Sequence, residues 1–169
     1  FASHRLDEGE NLEKWANFVA PNGKQSWMTE TSGHATNWQG ALELAEDMYQ
    51  YLVLGNYSAW LYWQISGGKE NVYALMAQHK PLPKYYASKH YYKYIRPGAQ
   101  RVQTNTDGQV MASAFVHPVS GQLTLVLVNN HEKSAIIKIN SPAFHPNEAK
   151  GYLSTESNYF LPLDIKNEI

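Results

Sequence analysis

Residues 23–33, GKQSWMTETSG, climb through a run of about six residues to a single acid, Glu30, and then fall away into Thr31-Ser32-Gly33. Further on, SAWLYWQI brings Trp63 and Gln64 to the end of a second run. Both runs read as strands, so a carboxylate and an indole arrive at neighbouring strand ends. That pairing suits glycoside hydrolysis. The carboxylate meets an oxocarbenium-like centre, and the flat ring supports the apolar face of a sugar. A lone Glu is more often a helix-start acid or a surface residue. The nearby Trp63 and Gln64 lift Glu30 above that reading.

Other chemistries find less support. The chain has no cysteine, which removes disulfides and thiolate metal sites. HEKSA begins at His131 like a zinc motif, but Ala135 stands where a second His is needed. Ser32-Gly33-His34 lacks the nucleophile elbow of a serine hydrolase. The reading therefore contains no metal and no cofactor. Net charge is −1 with no block of Lys and Arg, so nucleic acid is not an expected partner. No apolar run approaches the roughly 18 residues of a membrane span. Hydrophobic residues make up 43% of the chain, enough for a core, and its 22 aromatic rings, 13% of residues, fit core packing first. Asn56-Tyr57-Ser58 has the form of a glycosylation sequon.

These residues need elements to hold them. FASH at residues 1–4 reads as a strand end. Residues 10–20 place Leu12, Trp15, Ala16 and Val19 at helical spacing, closed by Pro21-Asn22-Gly23. Residues 24–30 form a strand with Glu30 last. Simple alternation puts Met28 on the face of Glu30, with Trp27 and Thr29 opposite. Residues 36–54 form the clearest helix, its stripe made by Trp38, Ala41, Leu42, Ala45, Met48, Tyr49 and Leu52. Thr36 and Gln39 have capping-box spacing, and Gly55-Asn56 is a left-handed stop. Residues 58–65 are apolar almost throughout, as in a parallel strand buried on both faces. A third helix covers residues 84–95, and its tyrosines (Tyr85, Tyr86, Tyr91, Tyr92, Tyr94) read as packing between domains.

The texture changes at Pro97. QVMASAFVH, QLTLVLVNN, SAIIKI and AKGYLST are short runs between turn signals, the pattern of an antiparallel β-sandwich. The expected organisation is α/β over residues 1–96 and all-β over residues 97–169. Three β/α units cannot close a barrel. They form a small open sheet, or they belong to a longer (β/α)₈ chain. An opening Phe inside a strand-like run, with no initiating Met, favours the second and predicts a start further upstream.

WMTETSG, then LGNYSAWLYWQIS, then PKYYASKHYYKYIRPGAQRV before β-rich sequence, resembles the C-terminal part of a glycoside hydrolase family 30 enzyme. The family comprises retaining β-glycosidases that include bacterial xylanases and glucosylceramidase-like enzymes. The resemblance implies the last three β/α units of a (β/α)₈ TIM barrel followed by a side β-sandwich, and a secreted protein. It implies that Glu30 ends strand seven as the nucleophile and that Trp63, near the end of strand eight, lines the sugar subsite at the scissile bond. His4 and Gln64 are the other candidate substrate contacts. The family's acid/base Glu ends strand four, which would precede Phe1, so this chain alone is expected to be inactive without an N-terminal remainder. The side domain of relatives ends in a further strand beyond a segment like NYFLPLDIKNEI, so a last strand is expected to be missing. Where glucuronoxylanases carry an Arg-rich loop after strand eight, this chain has SGGKENVY with Lys69 as its only base. Leu6 stands where relatives often show a Tyr. The implied substrate is a β-linked polysaccharide, xylan first. The alternatives are a β-1,6-glucanase or galactanase, a glucosylceramidase-like enzyme, and a non-catalytic carbohydrate-binding protein.

Overall fold

A computed structural model describes residues 1–4, 10–141 and 144–165. The expectation for Leu6, and the end of the segment expected to precede a last strand, lie outside the described residues. The chain divides into two compact units, Phe1–Ser88 and Lys89–Ile169.

The first unit begins with β1 (Ala2–His4), α1 (Glu10–Val19) and a single 3₁₀ turn at Ala20–Asn22. The helical spacing seen in the sequence is used: Leu12 and Val19 are buried, and the Trp15 indole N–H donates to Ser26 Oγ at 2.8 Å. Next come β2 (Ser26–Thr31), α2 (Trp38–Tyr49), one π-helical turn at Gln50–Leu54, and β3 (Tyr57–Tyr62). The three strands lie in the order β1-β2-β3 and run parallel. Parallel neighbours need a crossover, and α1 and α2 supply it.

Four details of this unit differ from the sequence reading. The α2 cap is Asn37, not Thr36: its Oδ1 accepts the Gly40 N–H at 3.2 Å, so the Thr36–Gln39 capping box does not form. The buried stripe of α2 runs through Ala41, Leu44, Ala45 and Met48, with Leu44 in the core in place of Leu42. Strand β2 extends one residue past Glu30, and its ladder slips between Met28 and Thr31 on one side and opposite Ser3/His4 on the other. A slip of this kind breaks the two-residue period. Met28 and Thr31 are therefore buried while Glu30 is exposed, so Met28 and Glu30 do not share a surface. Finally, β3 is not buried on both faces. Leu61 is 47% exposed, because no described residue covers that side.

Two glycines are fixed by close approach. A Cβ at Gly40 would stand 2.1 Å from the Ala35 carbonyl oxygen, and one at Gly55 would stand 2.8 Å from both the Tyr51 oxygen and the Tyr57 ring. The left-handed residue after the π turn is Asn56 (φ 53°), while Gly55 stays right-handed and is required for space. Beyond β3 the chain adds a small three-stranded sheet, β4 (Ser66–Gly67), β5 (Met76–Ala77) and β6 (Lys80–Pro81), and then α3 (Pro83–Tyr92).

The second unit contains an antiparallel sheet of β7 (Gln100–Val102), β8 (Met111–His117) and β9 (Gln122–Val128), and a separate pair, β10 (Gly151–Leu153) with β11 (Leu161–Leu163). Thr124, Val126 and Val128 alternate inward along β9 as a half-buried strand requires. SAIIKI does not form the expected strand. No described strand pairs with it, and Ile136 is 97% exposed. Alternation alone cannot make a strand when the backbone donors and acceptors have no ladder partner. The rings of Tyr94, Tyr152 and Phe160 stack, with Tyr152 and Phe160 centroids 4.7 Å apart, and Lys93 lies over all three.

Candidate active site

The parallel sheet brings three of the four candidate residues to its C-terminal edge. His4 ends β1 and is the ladder partner of Glu30. Both are exposed. Trp63 follows β3 directly, and its amide donates to the Thr31 carbonyl at 2.8 Å, which fixes the indole-bearing residue against the tip of β2. The ring is 56% exposed. A carboxylate, an imidazole and an open aromatic surface thus stand on adjacent strand ends, in the order His4, Glu30, Trp63. The peptide bond between Trp63 and Gln64 is cis. Gln64 is differently placed. Its backbone amide donates to the Tyr73 carbonyl and its carbonyl accepts the Leu75 amide at 2.9 Å, so it ties down the following loop with its main chain.

Behind the strand tips lies a polar cluster that sequence reasoning missed. His34, buried in the loop after β2, bonds through Nε2 to the Asp47 carboxylate of α2 at 2.8 Å. Lys84, fully buried in the first turn of α3, donates to the carbonyls of His34 at 2.9 Å, Asn71 at 3.1 Å and Val72 at 2.9 Å. The Val72 carbonyl also accepts the Gly33 amide at 3.2 Å and the Tyr62 hydroxyl at 3.1 Å. Burial lowers the Lys84 ammonium to about 8, with the charge of Glu70 pulling it back in part. Burial likewise pushes the Tyr62 phenol up to about 12. One signal for Lys84 exists in the sequence. A lysine straight after the proline that opens a helix faces the positive end of the helix dipole, so it belongs there only if its ammonium has other partners.

The groups present can do nucleophilic or acid–base chemistry at one carboxylate and can stack a flat ligand. Among the described residues no three His, Asp or Glu side chains gather as metal ligands. No helix among them is long and apolar enough to cross a membrane.

Comparison with known proteins agrees with this architecture. Residues 98–158 match the family model of the glycosyl hydrolase family 30 beta sandwich domain. Over 102 residues the chain is 28% identical to the glucuronoxylanase XynC of Bacillus subtilis, covering 55% of this chain and 23% of that protein. The chain thus spans about a quarter of the length of the curated relatives it matches. In fold it is similar to the family 30 subfamily 8 xylanase Xyn30A from Clostridium acetobutylicum, with a TM-score of 0.84, 20% identity, and coverage of 98% of this chain and 42% of that one. A family 30 endoxylanase from Clostridium papyrosolvens C71 superimposes with a TM-score of 0.54 at 24% identity, over 68% of this chain and 30% of that one. Residues 98–158 thus match the family 30 β-sandwich domain, and the chain as a whole shares the fold of part of a family 30 xylanase, findings that support a C-terminal fragment of a family 30 protein.

Proposed function

We propose that this chain supplies the nucleophile half of a retaining β-glycosidase acting on a β-linked polysaccharide, with xylan the first candidate. The three parallel β/α units are the closing part of a (β/α)₈ barrel. Such barrels carry their active sites at the C-terminal ends of the strands. One observation supports the reading above the others: Glu30 stands exposed at such an end, between His4 and the open indole of Trp63.

In the first step a Glu30 oxygen bonds to the anomeric carbon as the bond from that carbon to the leaving oxygen breaks. An acid/base carboxyl from a preceding segment protonates the leaving oxygen. In the second step the same group, now a base, takes a proton from water as the water displaces Glu30. Retaining chemistry asks for the two carboxyl groups to be about 5–5.5 Å apart. Trp63 stacks under the sugar at the cleavage point, and His4 and Gln64 are further substrate contacts. The protein is exported, as polymeric substrates demand. The match to glucuronoxylanase stops short of the glucuronic acid branch, because Lys69 is the only base in loop 66–73.

A mechanism-based 2-deoxy-2-fluoroglycoside tests the assignment. In the complete protein, residues 1–169 with the preceding barrel segment, mass spectrometry is expected to find the label on Glu30. Glu30→Gln is expected to lower kcat by at least about 10⁴-fold, the scale of losing a covalent nucleophile. Labelling elsewhere, or normal turnover by the variant, removes the assignment. The 169-residue chain alone is expected to leave xylan intact.

A further inference from the structure

The loops that follow β2 and β3 carry Glu30 and Trp63 at their roots, and one buried cation joins them. The Lys84 ammonium has three N–H donors and three acceptors: His34 O in the β2 loop, and Asn71 O and Val72 O in the β3 loop. The Gly33 amide and the Tyr62 hydroxyl converge on the same Val72 oxygen, so five hydrogen bonds meet within one knot. From the knot the chain leads back directly to both strand tips. His34 is four residues beyond Glu30, and Val72 precedes Tyr73, whose carbonyl holds the Gln64 amide beside Trp63.

We propose that Lys84 is a positioning residue whose ammonium locks these two loops together and thereby sets where Glu30 stands relative to Trp63. The inference rests on reading those two residues as facing one substrate. Stability alone does not call for an ammonium at this place. Its desolvation is unfavourable, its seat at a helix N-terminus opposes the dipole, and an apolar side chain of similar length fills the same volume. What an apolar chain cannot do is hold three main-chain carbonyls from two loops. Around the ammonium stand Glu70, the Tyr62 ring at 5.8 Å, and His34 with its Asp47 partner. If Lys84 is lost, one direct bond between the loops remains, the Gly33 amide on the Val72 carbonyl, and none of these groups replaces the links to His34 O and Asn71 O.

The test compares the complete protein with its Lys84→Met variant. Hydrogen exchange over residues 32–37 and 70–76 is expected to quicken at least about tenfold, while Tm changes little, the carbonyls left without a donor offsetting the relieved desolvation of the ammonium. On xylo-oligosaccharides kcat is expected to fall about tenfold or more, with KM altered less than about threefold. Residues 1–169 contain no cysteine, so with any cysteine of the preceding segment replaced by serine, Lys84→Cys can be alkylated selectively in the unfolded state and then refolded. Alkylation with 2-bromoethylamine restores the ammonium and is expected to restore both slow exchange and kcat. Alkylation with 1-bromopropane, equal in length but uncharged, is expected to restore neither. Unchanged exchange in Lys84→Met, or equal rescue by both reagents, overturns the proposal. The exchange measurement does not depend on turnover, so a failure of the Glu30 assignment is seen separately in Glu30→Gln.

Discussion

Gly40→Ala sets two effects of opposite sign against each other at the base of the candidate site. Gly40 lies in the first turn of α2, where replacing glycine by alanine ordinarily stabilises a helix by about 1 kcal/mol. Here the new Cβ would stand 2.1 Å from the Ala35 oxygen, 2.5 Å from its nitrogen and 2.6 Å from its carbonyl carbon. All three are main-chain atoms, so no flexible side-chain end can swing aside. Ordinary contact begins at 3.4 Å, so the Ala35 backbone must retreat by more than 1 Å. Overpacking of this kind costs about 1–3 kcal/mol, and rigid neighbours place it at the upper end. The net expectation is a loss of about 2 kcal/mol. At roughly 2–4 °C per kcal/mol for a chain of this size, Tm falls by about 4–8 °C in differential scanning calorimetry. Ala35 adjoins His34, so exchange at residues 32–37 should quicken as well. An unchanged or raised Tm would show that helix propensity outweighs the contact and that loop 32–37 is not pinned by α2.

Two further expectations concern a surface ring and a half-buried one. Trp63→Ala removes a ring that is already 56% exposed, so Tm should hardly move, whereas KM for xylo-oligosaccharides should rise about tenfold, the size of one lost stacking contact near 1.4 kcal/mol; an unchanged KM would take Trp63 out of the substrate site. His90 is held near 4, mainly by burial and further by Lys89, and bonds Ser154 Oγ at 2.8 Å. In the unfolded chain it protonates near 6.5 but in the fold only near 4, so stability is full above 6.5 and is lost as pH falls towards 4. Urea titrations at pH 7, 5.5 and 4.5 should show a shallower decline in His90→Gln than in the parent, and an equal decline would mean that His90 does not carry the acid sensitivity.

Much of the helical framework was legible because a 3.6-residue period marks a buried stripe wherever the helix packs. Leu12, Val19, Ala41, Ala45 and Met48 all sit where their spacing put them. The swap of Leu44 for Leu42 is a small rotation of α2 that only its neighbours could fix. The surroundings of Glu30 were harder to read, since the slip in β2 arises from its register with β1 and β3 and no single strand encodes that. SAIIKI failed for the related reason that a strand is made by its partner. For Lys84 the sequence offers only its place after Pro83 at a helix start, and its partners stay hidden for a deeper reason. Its acceptors are backbone carbonyls, up to 50 residues away in sequence, and every residue type has a carbonyl.

That same indifference to residue type shapes how the molecule can change. In loop 66–73, Asn71 is tied by its side chain, which accepts the Tyr73 and Ala74 amides. Lys69, Glu70, Val72 and Tyr73 turn their side chains to solvent while the main chain is gripped from below. Mutations at these four positions can alter what the rim presents to a ligand without releasing the anchor beneath it. Drift in specificity and retention of loop geometry are thereby uncoupled, and a library randomised at residues 69, 70, 72 and 73 should yield mostly folded variants from which new preferences can be selected.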